Sequence, residues 1–153
     1  MGSKLSFHLQ VPFYRQASQF TCGPASLMMA MKFYRPSIRF SRELEFDVWR
    51  ESNLIESYGT SKEGLALAAT KRGFSVYTMG VSRHHSFVDA LASKIPNLDY
   101  EILELFYKDT RLKFRTMGLK NVSRKIELAM MKRILRKSQV PVMLTNTRVF
   151  GER

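Results

Sequence analysis

The side chains best suited to chemistry cluster near the start of the sequence, in QASQFTCGPAS at positions 16–26. Cys22 is the single cysteine of the chain. Cysteine attacks as its thiolate, and the first turn of a helix favours that form by directing unpaired N–H groups and the positive end of the helix dipole at the sulfur. The Gly-Pro that follows fits this placement. Gly23 lets backbone pass close to a bound molecule, and Pro24 fixes the first turn while giving up an N–H that no helical partner would use. A thiol so placed suits attack on a carbonyl carbon, after which negative charge gathers on the carbonyl oxygen. A side-chain amide beside the cysteine's own N–H can stabilise that oxygen. Gln16, six positions upstream, is the candidate donor, and Gln19, inside the turn, ranks second. The competing reading of Cys22 is a small buried hydrophobe, the commonest fate of a free cysteine. Its position at a helix start, the Gly-Pro and the upstream amide together favour the nucleophile. Gln16 by itself would read as a surface amide.

Composition narrows what such a site can use. One cysteine rules out an internal disulfide and leaves three histidines and the carboxylates for zinc, so neither a structural metal nor a cofactor is expected. A reducing, cytoplasmic setting fits best. No window approaches the roughly 18 uncharged apolar residues of a membrane span, and the N-terminus lacks the apolar stretch of a signal peptide. The net charge is +12, unevenly spread: residues 1–40 hold five basic groups and no acid, and residues 111–137 hold ten against Glu127 alone. A solvated helix face gives this pattern without a partner, and charge unaccompanied by a recognition motif is the weakest footprint of nucleic-acid binding, which is therefore not expected. His84 and His85 follow Arg83 at a strand-to-helix junction and read as exposed side chains, with a substitute base as the minority reading. His8 reads as structural. The nine methionines, among them Met28, Met29, Met31, Met130 and Met131, read as core filling and not as a soft-metal site.

Elements must position these residues. FHLQVPFYRQ alternates apolar and aromatic residues and predicts a short strand or extended segment ending near Gln16. From Cys22 a helix is predicted with Leu27, Met28, Met31 and Tyr34 on its buried face, ended by Pro36. Ser41 caps a second helix with Glu43 and Glu45 in its first turn and Leu44, Val48 and Trp49 buried. Ser61 caps a third, stopped by Gly73. FSVYTMGV reads as a strand, SFVDALASKI as a helix closed by Pro96, and LDYEILELFYKD as a further helix. RLKFRTMGL is ambiguous, with a strand among its readings. NVSRKIELAMMKRILRKS, from Asn121, predicts an amphipathic helix with Leu128, Met131, Ile134 and Leu135 on one face and Lys125, Lys132, Arg133 and Arg136 on the other. VPVMLTNTRVF predicts a final strand with partners on both sides. Residues 1–153 read as one α+β domain without repeats or linkers.

These residues resemble a family. Gln16 followed six positions later by CGPASL is similar to the signature of papain-like cysteine peptidases. VPFYRQ and FTCGPASLMMAMKFY are similar in particular to the bacteriocin-processing peptidases that cut leader peptides after a double glycine. SRELEFDVWRES, EGLALAATKRGFSV and PVMLTNTRVFGE resemble an uncharacterised prokaryotic branch of that group, so the likeness spans nearly the whole chain. It implies an α+β papain-like fold with an N-terminal helical half and an incomplete C-terminal antiparallel sheet. It also implies a peptide or protein substrate, Cys22 as nucleophile, Gln16 as oxyanion donor and no cofactor. The family further uses a histidine at the start of a strand after the PVMLTN equivalent, with an Asp or Asn beyond it. The chain reaches Arg153 without either, so the expectation is a domain truncated at its C-terminus and inactive or incomplete as a peptidase. An apolar final strand would leave an unprotected edge, which makes a homodimer through that strand an expectation. The alternatives from other classes are a non-catalytic peptide-binding module and a basic nucleic-acid binder using residues 111–137.

Overall fold

The computed structural model describes residues 8–54, 57–80, 88–89, 93 and 95–144. Helix α1 (Cys22–Tyr34) begins at the cysteine and turns Pro24, Ala25, Leu27, Met28, Ala30 and Met31 inward. It ends where Arg35 N–H donates to Met31 O, one residue before Pro36 would break the helix. Helix α2 (Arg42–Ser52) is capped by Ser41, whose hydroxyl accepts from Leu44 N–H at 3.2 Å. Helix α3 (Lys62–Lys71) is capped by Ser61, whose hydroxyl accepts from Gly64 N–H at 2.9 Å. Gly73, at φ 79°, closes α3 in the left-handed conformation, and Phe74 N–H returns to Ala69 O.

These three helices share a core of Leu27, Met28, Met31, Val48, Ala68 and Ala69, with Tyr14, Ile38, Phe40 and Leu44 packed at its edge. Met28 and Met31 fill this core, as expected of them. Small residues on α3 allow a close fit on both sides of that helix. A Cβ placed on Gly64 would stand 2.6 Å from Ser52 O, so α2 and α3 meet at backbone distance. The other side of α3 packs Ala66 and Leu67 against Phe114.

Phe114 belongs to α4 (Tyr100–Thr116), capped by Asp99, whose carboxylate accepts from Ile102 N–H at 3.1 Å. The helix runs straight through RLKF, where a strand was one reading. Its i,i+4 ion pairs, Glu104–Lys108 at 3.1 Å and Asp109–Lys113 at 2.6 Å, and the burial of Phe114 extend the helical repeat to Thr116. Leu103 and Tyr107 of α4 join Leu54 and Val88 in a second cluster. Val88 and Asp89 are helical, while the remainder of the SFVDALASKI helix lies largely outside the described residues.

The sheet differs from expectation. Among the described residues it is one parallel pair, β1 (Thr78–Met79) with β2 (Asn121–Val122), in the register Thr78↔Asn121 and Met79↔Val122. No antiparallel C-terminal sheet is present among them. Asn121 therefore opens a strand and not the amphipathic helix, pinned because its Oδ1 accepts from Lys62 Nζ (3.1 Å) and Thr78 Oγ1 (2.9 Å). The amphipathic helix, α5, spans only Leu128–Arg136. The expected first strand is irregular coil from residue 8 to 16, because Pro12 lacks a ladder donor and Val11 N–H turns back to Leu9 O. Residues 141–144 of the expected final strand have no ladder, and 145–153 lie outside the described residues. Among the described residues no helix is long and apolar enough to cross a membrane.

Candidate active site

Cys22 is the first residue of α1 and is solvent-exposed. The side chain that would normally cap the helix is otherwise engaged: Thr21 is fully buried, and its hydroxyl forms no cap bond but closes a turn with Ser18, 3.2 Å from the Ser18 carbonyl and 3.0 Å from its hydroxyl. Among the described residues nothing accepts a hydrogen bond from the N–H of Cys22 or Gly23. Two first-turn donors thus remain free beside the sulfur, with Pro24 supplying none. That arrangement can receive an anionic oxygen.

Gln16 is exposed, and its Nε2 donates to Ser18 O at 2.7 Å. Among the described residues no hydrogen bond joins Gln16 to Cys22, although both sit on the loop that leads into α1. Gln19 is exposed and forms no hydrogen bond among these residues. The loop itself is fixed from an unexpected direction. Glu45, in the first turn of α2, has no exposed surface; its Oε2 accepts from Tyr14 Oη at 2.8 Å and its Oε1 from Ala17 N–H at 2.9 Å. These bonds bracket Gln16. Burial and the Glu45 hydrogen bond raise the Tyr14 phenol above its ordinary value. The sequence pattern marked Glu45 only as a favourable first-turn charge; its polar position on the Leu44–Val48 side of α2 was the signal that it had a buried partner.

An aromatic cluster forms around Phe20 on the loop that leads into α1. Phe20, two residues before Cys22, packs its ring 5.2 Å from Trp49, 5.9 Å from Tyr58 and 6.4 Å from Phe46, and Trp49 Nε1 donates to Tyr58 O at 2.9 Å. Gly23 also faces the loop before α3: a Cβ there would meet the side-chain oxygen of Thr60, which would have to turn aside, and stand 3.1 Å from Leu65. The glycine lets the loop before α3 close over the start of α1.

Among the described residues no hydrogen bond joins a histidine to the sulfur. His8 is exposed and lines a cavity of about 380 Å³ with Ser26 and Met29, one and two turns along α1 from Cys22, which itself does not line it. His84 and His85 lie outside the described residues. Among the described residues no three His, Cys, Asp or Glu side chains gather as a metal ion would require. A family model described as "Peptidase_C39 like family" matches residues 11–153. No curated protein and no solved structure matches the chain.

Proposed function

The chain belongs to the Peptidase_C39-like family, and from that premise we propose that it acts on acyl groups of peptides through Cys22, with Gln16 and the free first-turn N–H groups receiving the oxyanion. In this reading Sγ bonds to the acyl carbon, the carbonyl electron pair moves to oxygen, and the thiol proton passes to solvent. Collapse of the adduct expels the leaving group and leaves a thioester, which water then hydrolyses. The exposure of Cys22 at the start of α1, with unpaired N–H donors beside it, carries the proposal. Gln16 takes part once its amide leaves Ser18 O and turns to the oxyanion, and the Glu45 bonds hold its loop in place for that.

An amine leaving group needs a proton, and among the described residues no hydrogen bond brings a histidine to the sulfur to deliver one. The chain as it stands is therefore expected to be acylated readily by activated esters and to cleave peptide bonds slowly. Cleavage after a double glycine is the narrower part of the proposal and rests on the resemblance of VPFYRQ and FTCGPASLMMAMKFY. A cytoplasmic setting and pairing of two copies through 140–144 are part of it as well, the second supported by the exposure of Val142, Met143 and Leu144.

A p-nitrophenyl ester tests the central claim. Acyl transfer to sulfur releases nitrophenolate in a burst of about one equivalent, with a matching acyl mass on the protein. Cys22→Ser is expected to abolish the burst, and Gln16→Ala to slow it by about 100-fold, the usual cost of removing one oxyanion donor. A burst that survives in Cys22→Ser would place the chemistry elsewhere.

A further inference from the structure

A groove of about 610 Å³ lies between α1, α3, residues 73–79 and residues 137–143, and Cys22 is not among the residues lining it. Its floor is apolar: Leu27, Ala30 and Met31 of α1 lie across it from Met131 and Ile134 of α5. Among the described residues no other helix or strand comes close to the backbone of α5; Met130 is buried, while Met131 and Ile134 border the groove. One wall offers backbone. Ser75, Val76 and Tyr77 lead into β1, and among the described residues their N–H and C=O groups enter no backbone hydrogen bond. The opposite wall is held by side chains: Tyr34 Oη donates to Ser138 O (3.0 Å) and accepts from Val140 N–H (2.7 Å), while Tyr77 Oη reaches Gln139 Oε1 at 3.3 Å.

The charge is of one sign. Of the groove's lining residues only Lys62 and Lys137 are ionic, and both are cations. Lys62 is occupied by Asn121 and Glu63, whereas Lys137 has no ion pair among the described residues.

We propose that this groove binds an extended peptide whose side chains alternate apolar and acidic. The peptide adds as a strand along 75–77, satisfying the unused backbone groups, and lays its apolar side chains on the α1 floor while its acids meet the Lys137 rim. The site is independent of whether Cys22 reacts, because the sulfur lies off the groove.

Fluorescence anisotropy with a labelled short peptide alternating valine and glutamate is the test. Saturable binding is expected, about tenfold weaker for the valine–lysine counterpart and about tenfold weaker when alternate amides are N-methylated. Lys137→Glu, at an exposed position, is expected to weaken the valine–glutamate peptide about threefold to tenfold with the circular dichroism unchanged, and Cys22→Ser to leave its affinity unaltered. Failure of that peptide to bind, equal binding of the lysine counterpart, indifference to N-methylation, or loss of binding in Cys22→Ser each overturns the proposal.

Discussion

A fully buried carboxylate is costly unless its oxygens are satisfied, and Glu45 satisfies both by holding Tyr14 and Ala17 on either side of Gln16. Glu45→Gln turns an amide N–H toward a partner that is itself a donor. It should lower stability by about 2 kcal/mol in chemical denaturation and slow the ester burst, since the loop carrying Gln16 loses an anchor. Tyr14→Phe removes one hydrogen bond and should cost about 1 kcal/mol. The pH dependence follows from the same contact. Folding raises the Tyr14 phenol above its ordinary value near 10, so its contribution is complete below that value and is lost as pH rises through the higher folded value. Denaturant midpoints should therefore fall in the alkaline range for the parent protein and fall less for Tyr14→Phe. Glu43 works in the opposite sense: backbone and Ser41 hydrogen bonds lower its carboxyl, so its contribution is present above its ordinary value of 4.5 and fades as pH falls below it. Cys22 and its helix-start position were legible from residue types alone. Glu45 as the anchor was not, because its partners lie 28 and 31 positions away in sequence.

Among the elements, α2 and α3 depend on a contact that allows no side chain. Gly64→Ala would drive a methyl into the backbone of Ser52, and the shift required should cost about 1–3 kcal/mol, read as a lower denaturant midpoint. Ser61→Ala removes the α3 cap at Gly64 N–H and should cost about 1 kcal/mol. The caps and stops of α1, α2 and α3 could be read from local sequence, since Ser41, Ser61, Pro36 and Gly73 act through bonds or constraints within a few residues. The strands could not. Thr78 meets Asn121 across 43 positions through a two-residue ladder, and a pair that short leaves no alternating pattern to read. The 111–116 stretch was ambiguous for the opposite reason: its β-formers Phe114 and Thr116 sit in a helix because Phe114 packs on α3 and Lys113 pairs with Asp109.

For the molecule as a whole, charge is the dominant unbalanced quantity. With +12 on 153 residues and ten basic groups against one acid in 111–137, like-charge repulsion opposes compaction in the α4-to-α5 region. Adding salt to about 0.5 M shortens the Debye length to a few ångströms, and the thermal midpoint is expected to rise. A fall would mean that the surface ion pairs, such as Arg72–Glu51 at 2.7 Å, outweigh the repulsion. The three-helix core of α1, α2 and α3 has apolar layers on both sides of α3 and should unfold as one unit. α5, whose backbone no other helix or strand approaches among the described residues, should exchange its amide hydrogens first.

The sequence by itself determined the mixed helix-and-strand character, the serine-capped starts of α2 and α3, the thiol at the mouth of α1 and the family likeness that the comparison with residues 11–153 supports. Each of these is local: a cap, a proline, a helical repeat or a motif needs only its neighbours along the chain. Tertiary structure decided the parallel pairing of β1 with β2, the buried carboxylate that steadies the Gln16 loop, the tight seat of Gly23 against Thr60, and the apolar groove under α5. Those features join residues tens of positions apart, and the free energy that selects them comes from burial and hydrogen bonding that exists only once the chain has folded back on itself.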